Sequence, residues 1–170
     1  MAISTTDMCR WKLGRSYRAG VHASQMAEDY PSVTKDSDAL AAAKLLAEHR
    51  LPGIVVTDRD QVPQAVLPAS QVVRFLVPGY VQDDPSLAGV LSESAADRVA
   101  EALRGKTVGQ LLPESKPKPV LPVAHADDTV IEVAALMARC RCPLIAVVDG
   151  TRMIGVITAS RLLQVALAAT

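Results

Sequence analysis

Pro143-Leu-Ile-Ala-Val-Val-Asp149, followed at short distance by Gly155-Val-Ile-Thr158, is the stretch on which the fold turns. The proline cannot continue a helical hydrogen-bond ladder, and the apolar run after it is rich in β-branched residues, so Leu144 to Val148 reads as a buried strand. Asp149-Gly-Thr151 supplies a turn and Ile154 to Ile157 a second strand, which together make an antiparallel hairpin. Ala159-Ser160 then opens an apolar helix, Leu162 to Leu167. Upstream, Val130, Val133, Ala134 and Met137 fall at i, i+3, i+4 and i+7, the stripe of an amphipathic helix. Asp127-Asp-Thr129, with Glu132 three residues past the threonine, is its start signal.

The same pattern stands 91 residues earlier. Pro52 aligns with Pro143, Ile54 with Ile145, Val56 with Val147 and Asp58 with Asp149; the helix stripe becomes Ala39, Ala42, Ala43 and Leu46 behind Asp36-Ser-Asp38. Past the turn the offset drops to 90, so the first hairpin loop, beginning Asp58-Arg-Asp60, carries one extra residue before Gln64 to Leu67. Ala69-Ser70 opens the matching second helix, Val72 to Leu76, and a short extended piece precedes each copy, Pro31 to Thr34 and Pro119 to Ala124. Shared composition does not explain why helix face, proline and strand coincide at one offset.

Composition bounds the rest. The 170 residues carry 18 basic and 18 acidic side chains, 49% are apolar and 3% aromatic. A neutral chain lacks the cationic surplus that nonspecific nucleic-acid or acidic-membrane binding requires, so no nucleic-acid partner is expected. No apolar stretch has the length of a membrane span and the N-terminus has no secretory pattern, so no direct membrane insertion and a cytoplasmic location are expected. Residues 1–22 read as an N-terminal arm in which Arg10, Lys12, Arg15 and Arg18 outnumber Asp7, with Trp11 and Tyr17 among them. Between the copies, Asp84-Pro85 and Ser94 are helix starts and Gly105 a helix end, so the linker reads as two short helices. The charges Glu93, Asp97, Arg98, Glu101 and Arg104 read as a solvated face of this linker.

Cys9, Cys140 and Cys142 with His22, His49 and His125 raise the questions of a metal or a nucleophile. One Cys-x-Cys pair and scattered histidines lack the paired ligand spacing of a zinc site, so no metal is expected. A thiol nucleophile would need His125 within hydrogen-bond distance of Cys140 or Cys142. The simpler reading makes both cysteines small, partly buried thiols at a helix end.

Helix, Pro-apolar-Asp strand and Gly-apolar-apolar-Thr strand, twice and in order, resemble a pair of cystathionine-β-synthase (CBS) domains. Thr107-Val-Gly-Gln-Leu-Leu112 looks like the family's opening segment, and the resemblance runs from about Ala23 to Ala168. It implies an α/β (α+β) fold built as a tandem CBS repeat. Each copy would be a small three-stranded sheet with flanking helices, and the two would be pseudo-twofold related as a Bateman module. The implied boundaries are 1–22 for the arm, 23–77 for the first domain, 78–106 for a helical linker and 107–170 for the second domain. The resemblance further implies a regulatory chain with no catalytic residues. Such a chain associates as a homodimer through its helices, acts on an unidentified effector protein and has no required cofactor.

In that family the cleft between the repeats holds adenosine-type nucleotides, so AMP, ADP and ATP are the candidate ligands. The family motif Gly-h-h-Thr-x-x-Asp, where h is apolar, brings Thr and Asp to phosphate and sugar. Here the second copy has Gly155, Thr158 and, in the Asp position, Arg161; the first has Ala65, Pro68 and Gln71. A buried ribose hydroxyl without an acceptor forfeits roughly 1–3 kcal/mol. Arg161 instead offers a fork suited to phosphate or carboxylate. The second-copy cleft of Leu121, Pro143, Ile145, Gly155, Val156, Thr158 and Arg161 is therefore the better candidate, with Lys116 and Lys118 nearby. Its first-copy counterpart is Pro52, Ile54, Val66 and Gln71. Plainer roles compete, Thr158 as a helix cap and Arg161 as a surface cation. For the whole chain the competing reading is an interaction and dimerisation scaffold whose cleft has lost its ligand.

Overall fold

In the computed structural model, residues 20–90, 101–112 and 121–168 are described below. Trp11 and Tyr17 of the arm, Cys9, the Ser94 cap, Glu93, Asp97, Arg98, Lys116 and Lys118 lie outside them. The first copy contains β1 (Ser32–Thr34), α2 (Ala39–Glu48), β2 (Gly53–Thr57), β3 (Pro63–Pro68) and α3 (Ala69–Leu76), preceded by a short helix α1 (Ala23–Met26). The second contains β4 (Val123–His125), α6 (Val130–Cys140), β5 (Leu144–Asp149), β6 (Arg152–Thr158) and α7 (Ala159–Ala168), preceded by α5 (Val108–Leu111). In both sheets the central strand pairs parallel with the short leading strand and antiparallel with its hairpin partner, in the orders β1-β2-β3 and β4-β5-β6. The repeat extends to the irregularities. A register shift falls between Val56 and Thr57 and again between Val147 and Val148, 91 residues on.

The helices start where side chains can satisfy their orphan N–H groups. Asp38 Oδ1 accepts from Ala41 N at 2.7 Å, while Thr129 and Glu132 form a reciprocal capping box. An arginine in the left-handed region follows each of α2 and α6, Arg50 at φ 51° and Arg141 at φ 48°. Glycine is the common choice there, so each copy carries strain at the same point.

Alternation along the central strands divides the core into layers. Ile54 and Val56 join Ala39, Ala42, Leu46, Leu67 and Val72 beneath the helices of the first copy. Ile145 and Val147 join Ala124, Val133, Met137 and Leu162 beneath those of the second. The intervening residues face the other way: Val55 meets Leu144, Ala146 and Val156 in a third cluster, the seam between the sheets. Covered on both faces, β2 is buried along its whole length, which is why it reads as a continuous apolar run. Gly53 has Leu144 as its counterpart, and the two fit each other; a Cβ on Gly53 would lie 3.0 Å from Leu144 Cδ2.

The short helices are exchanged. By chain order α1 opens the first copy, yet Ala23 and Met26 are fully buried in the helical core of the second. Conversely, Val108 and Leu111 of α5 are fully buried in that of the first. Backbone bonds fasten each in the same way: Ala23 N to Asp128 O and Ser24 N to Ala126 O on one side, Val108 N to Ser37 O and Gly109 N to Lys35 O on the other. Gln25 accepts from His22 N as Gln110 does from Thr107 N, each at 2.9 Å. Burying a Met, Val or Leu contributes about 1.5–3 kcal/mol, so each sheet owes part of its core to a segment from the far side of the linker.

The described part of the linker is largely helical. An α-helix α4 (Gly79–Asp83) precedes Pro85, and Pro85–Val90 is a 3-10 helix whose start Asp84 Oδ1 holds by accepting from Ser86 N and Oγ. Residues 101–103 are helical, and Gly105 leaves that helix at φ 72°, as its expected role requires. Among the described residues no helix is long and apolar enough to cross a membrane.

Gly155 is where the exchange leaves least room: a Cβ there would meet Glu28 O at 2.8 Å and Ala27 Cβ at 3.0 Å. Gly155→Ala should lower the unfolding free energy by about 1–3 kcal/mol in urea titrations. The same change at Gly89, which faces open space, should cost well under half as much; equal losses would contradict the packing.

Candidate ligand site at the seam

The segment 27–31 leaves α1 on the second copy and enters β1 of the first, so it crosses the edge of the seam. Glu28 pairs with β6 through both backbone groups, N to Val156 O at 2.9 Å and O from Val156 N at 3.0 Å. Its carboxylate Oε1 stands 3.7 Å from Arg161 Nε, with the two side chains 50% and 31% exposed. Such a pair is worth at most about 1 kcal/mol. Arg161 N donates to Thr158 Oγ1 at 3.2 Å and Arg161 Nη1 to Gln164 Oε1 at 2.9 Å. Nε itself is shielded from solvent and makes no hydrogen bond. A guanidinium donor without an acceptor is a group that an oxyanion would satisfy.

Two residues further on, Tyr30 packs against the seam cluster and its hydroxyl donates to Gly53 O at 2.9 Å. Burial pushes its phenol up to about 12. Tyr30 also lines a recess of about 470 Å³, with Asp29, Pro31, His49 and Leu51. That size lies within the range of small-molecule sites. His49 and Leu51 flank the strained Arg50, so the end of α2 forms its rim.

The residues singled out from sequence distribute unevenly over this geometry. Thr158 and Arg161 come together at the seam edge, Thr158 as the cap of the α7 backbone. Gly155 and Val156 are there too, but Glu28 occupies the backbone edge and the space above them. Leu121 and Pro143 are half-buried, and Pro143 O accepts from Ala159 N at 2.9 Å just as Pro52 O accepts from Ala69 N at 3.0 Å. Val66 packs at the seam and Gln71 is half-buried at the start of α3. Ile54 and Ile145 correct the expectation: both are fully buried beneath the helices, because a period of two turns them away from the face that Val55 and Ala146 present to the seam.

Glu28, Tyr30, Asp29 and His49 were not legible as site residues. For Tyr30 a signal existed, since it aligns 91 residues before Leu121, a residue chosen for the cleft. For Glu28 there was none, because the exchange that carries it to Arg161 is not written in local pattern. The thiol nucleophile does not assemble: His125 pairs with Val148, six residues along from Cys142, which at the rise of a strand is about 20 Å. Burial pushes the Cys142 thiol up, opposed by the hydrogen bond from Leu144 N. Among the described residues no three His, Cys, Asp or Glu side chains gather as a metal site would require.

The sequence profile of the CBS domain matches residues 21–78 and 108–168. Among solved structures, a CBS domain-containing protein of unknown function from Kribbella flavida DSM 17836 is 59% identical, covering 89% of this chain and all of its own, with a TM-score of 0.76. CBSX2 from Arabidopsis thaliana is 17% identical over 89% of this chain and 97% of its own, with a TM-score of 0.69. CBSX2 in complex with AMP is 18% identical over 88% and 98%, with a TM-score of 0.62. At such identities these two likenesses speak for the fold alone. No curated protein matches the chain significantly.

Tyr30 provides a test of the seam. Below pH 10 the phenol is protonated in folded and unfolded chains alike; between 10 and about 12 only the unfolded chain ionises. Stability held below pH 10 is therefore lost as the pH rises through that window. Tyrosinate absorbance of the folded protein should show one late step near pH 12 that Tyr30→Phe removes. If that step survives the substitution, the assignment of the buried phenol is wrong.

Proposed function

The chain belongs to the CBS-domain family, with two copies of the domain in tandem, and from that premise we propose that it is a non-catalytic regulatory module whose seam takes up a small anionic ligand. The observation that carries this reading is Arg161 Nε, held at the seam edge beside Thr158 with no hydrogen-bond acceptor. A phosphate or carboxylate oxygen would supply the acceptor, and the guanidinium presents further donors in a planar fork. The AMP complex of CBSX2 supports a nucleotide monophosphate as the probe. With Arg161 and Gln71 where the family's ribose acceptor stands, the phosphate carries more of the recognition here than the sugar does.

A ligand that pulled Arg161 from Glu28 would act on the segment that ties the two copies together. It changes the seam only so far as it binds one arrangement better than the other. With no effector domain in residues 21–168, the output is contact with another protein. A second reading, a ligand-free interaction scaffold, is favoured by Tyr30 and Leu144, which fill the seam with the chain's own side chains.

Thermal unfolding with AMP, ADP and ATP separates the two. Ligand at ten times its dissociation constant stabilises by about 1.4 kcal/mol. The module predicts that at least one nucleotide raises the melting temperature at millimolar concentration and that Arg161→Ala cancels the rise without lowering the ligand-free melting temperature appreciably. No rise with any of the three supports the scaffold.

A further inference from the structure

The hairpin turn of the first copy is one residue longer than that of the second, and it reaches across to the other copy. Asp58 folds this turn: Oδ1 accepts from Asp60 N at 3.0 Å and from Val62 N at 2.9 Å, and Oδ2 accepts from Gln64 Nε2 at 3.1 Å. Asp58 O accepts from Gln61 N at 3.2 Å, which leaves Gln61 at φ 61°, a left-handed position unfavourable to a residue with a Cβ. Gln61 O then accepts from Met153 N at 3.1 Å, and Gln61 Oε1 from Arg152 Nε at 3.2 Å. The Met153 side chain packs against the seam cluster. Repeat symmetry would place a return bond at Pro63, which pairs with Thr57 as Met153 pairs with Val148. A proline has no N–H to give, so this tie is made once and in one direction. Three residues along β6, about 10 Å away, Val156 makes both of its backbone bonds to Glu28. β6 is an edge strand, and two separate stretches of the first half of the chain hold its free side.

We propose that the lengthened β2–β3 turn is a latch on the seam, and that it lets go together with the segment 27–31 when the two sheets part. The middle of the seam is filled by Val55, Leu144, Ala146 and Val156, so room for a small molecule arises there only as the sheets separate. The ties along the free side of β6 set how often that happens, because they join the strand of one sheet to the chain that forms the other. Opening is then a two-state event in which the bonds at Met153 and Val156 break as a unit while the interior of each copy stays folded. The latch itself needs no ligand. Its consequence for one rests on the reading proposed above: a ligand of the seam binds the unlatched fraction, and its apparent affinity scales with that fraction.

Native-state amide hydrogen exchange of the full chain tests it. In the wild type the amides of Met153 and Val156 should share one opening free energy, below that of the slowest core amides. Met153→Pro removes the N–H and gives the second copy the residue that the first already carries at the matching place, Pro63. It should speed exchange at Val156 about fivefold, the net worth of one backbone hydrogen bond, whereas Met153→Leu, which keeps the N–H, should leave that rate unchanged. Fast exchange at Met153 beside a protected Val156 overturns the proposal in the wild type alone, as does a Val156 amide that exchanges only with global unfolding. An unchanged Val156 rate in Met153→Pro overturns it as well. No nucleotide enters these readouts, so a failed ligand titration and a failed latch are separate results.

Discussion

The structure depends on an exchange: each of its two helical cores is completed by a short helix from the far side of the linker. Without Met26 the second helical core lacks a buried side chain among Val133, Met137 and Ile145, and without Leu111 the first lacks one among Leu46, Ile54 and Val72. A copy of some fifty residues has little interior to spare, and a half so small is marginal alone. Exchange makes the halves interdependent, so the tandem folds as one object and the seam is held closed from both sides.

The seam acquires its chemistry from the same exchange. Once α1 sits on the second copy and β1 in the first, the residues between them must cross the edge of the interface, and they take a carboxylate and a phenol with them. Glu28 reaches Arg161 and Tyr30 reaches Gly53 O. The cleft therefore holds parts of its own chain at both edges. An anion has only a weak, half-exposed ion pair to displace at Arg161, whereas at Gly53 it would have to break a hydrogen bond packed into the core. The second-copy edge is the easier one to open, in line with its having the threonine and the cation.

Outside the seam, the departures from symmetry carry the individuality of this chain. Gly53 against Leu144 lets two nearly identical sheets mesh where equal side chains would collide. Lys44 and Arg74 against Ala135 and Gln164 make one helical face charged and the other neutral at the same positions. A duplicated fold starts from equal halves, and each such substitution assigns the halves different work.

The sequence by itself determined the local elements and their order. Proline before an apolar β-branched run, turn residues after it and a stripe at 3.6-residue spacing are short-range signals, and they placed both hairpins, all four long helices and the duplication. It also paired Thr158 with Arg161 at the start of α7, because motif and offset are local. It put Ile54 and Ile145 on the wrong face, since buried strands have apolar residues on both sides and no contrast to mark which one meets the partner sheet. Only the tertiary structure decided that α1 and α5 change places and that Glu28 and Tyr30 belong to the seam. These depend on contacts between residues far apart in the chain, and the identity of a side chain does not encode which distant surface it will meet.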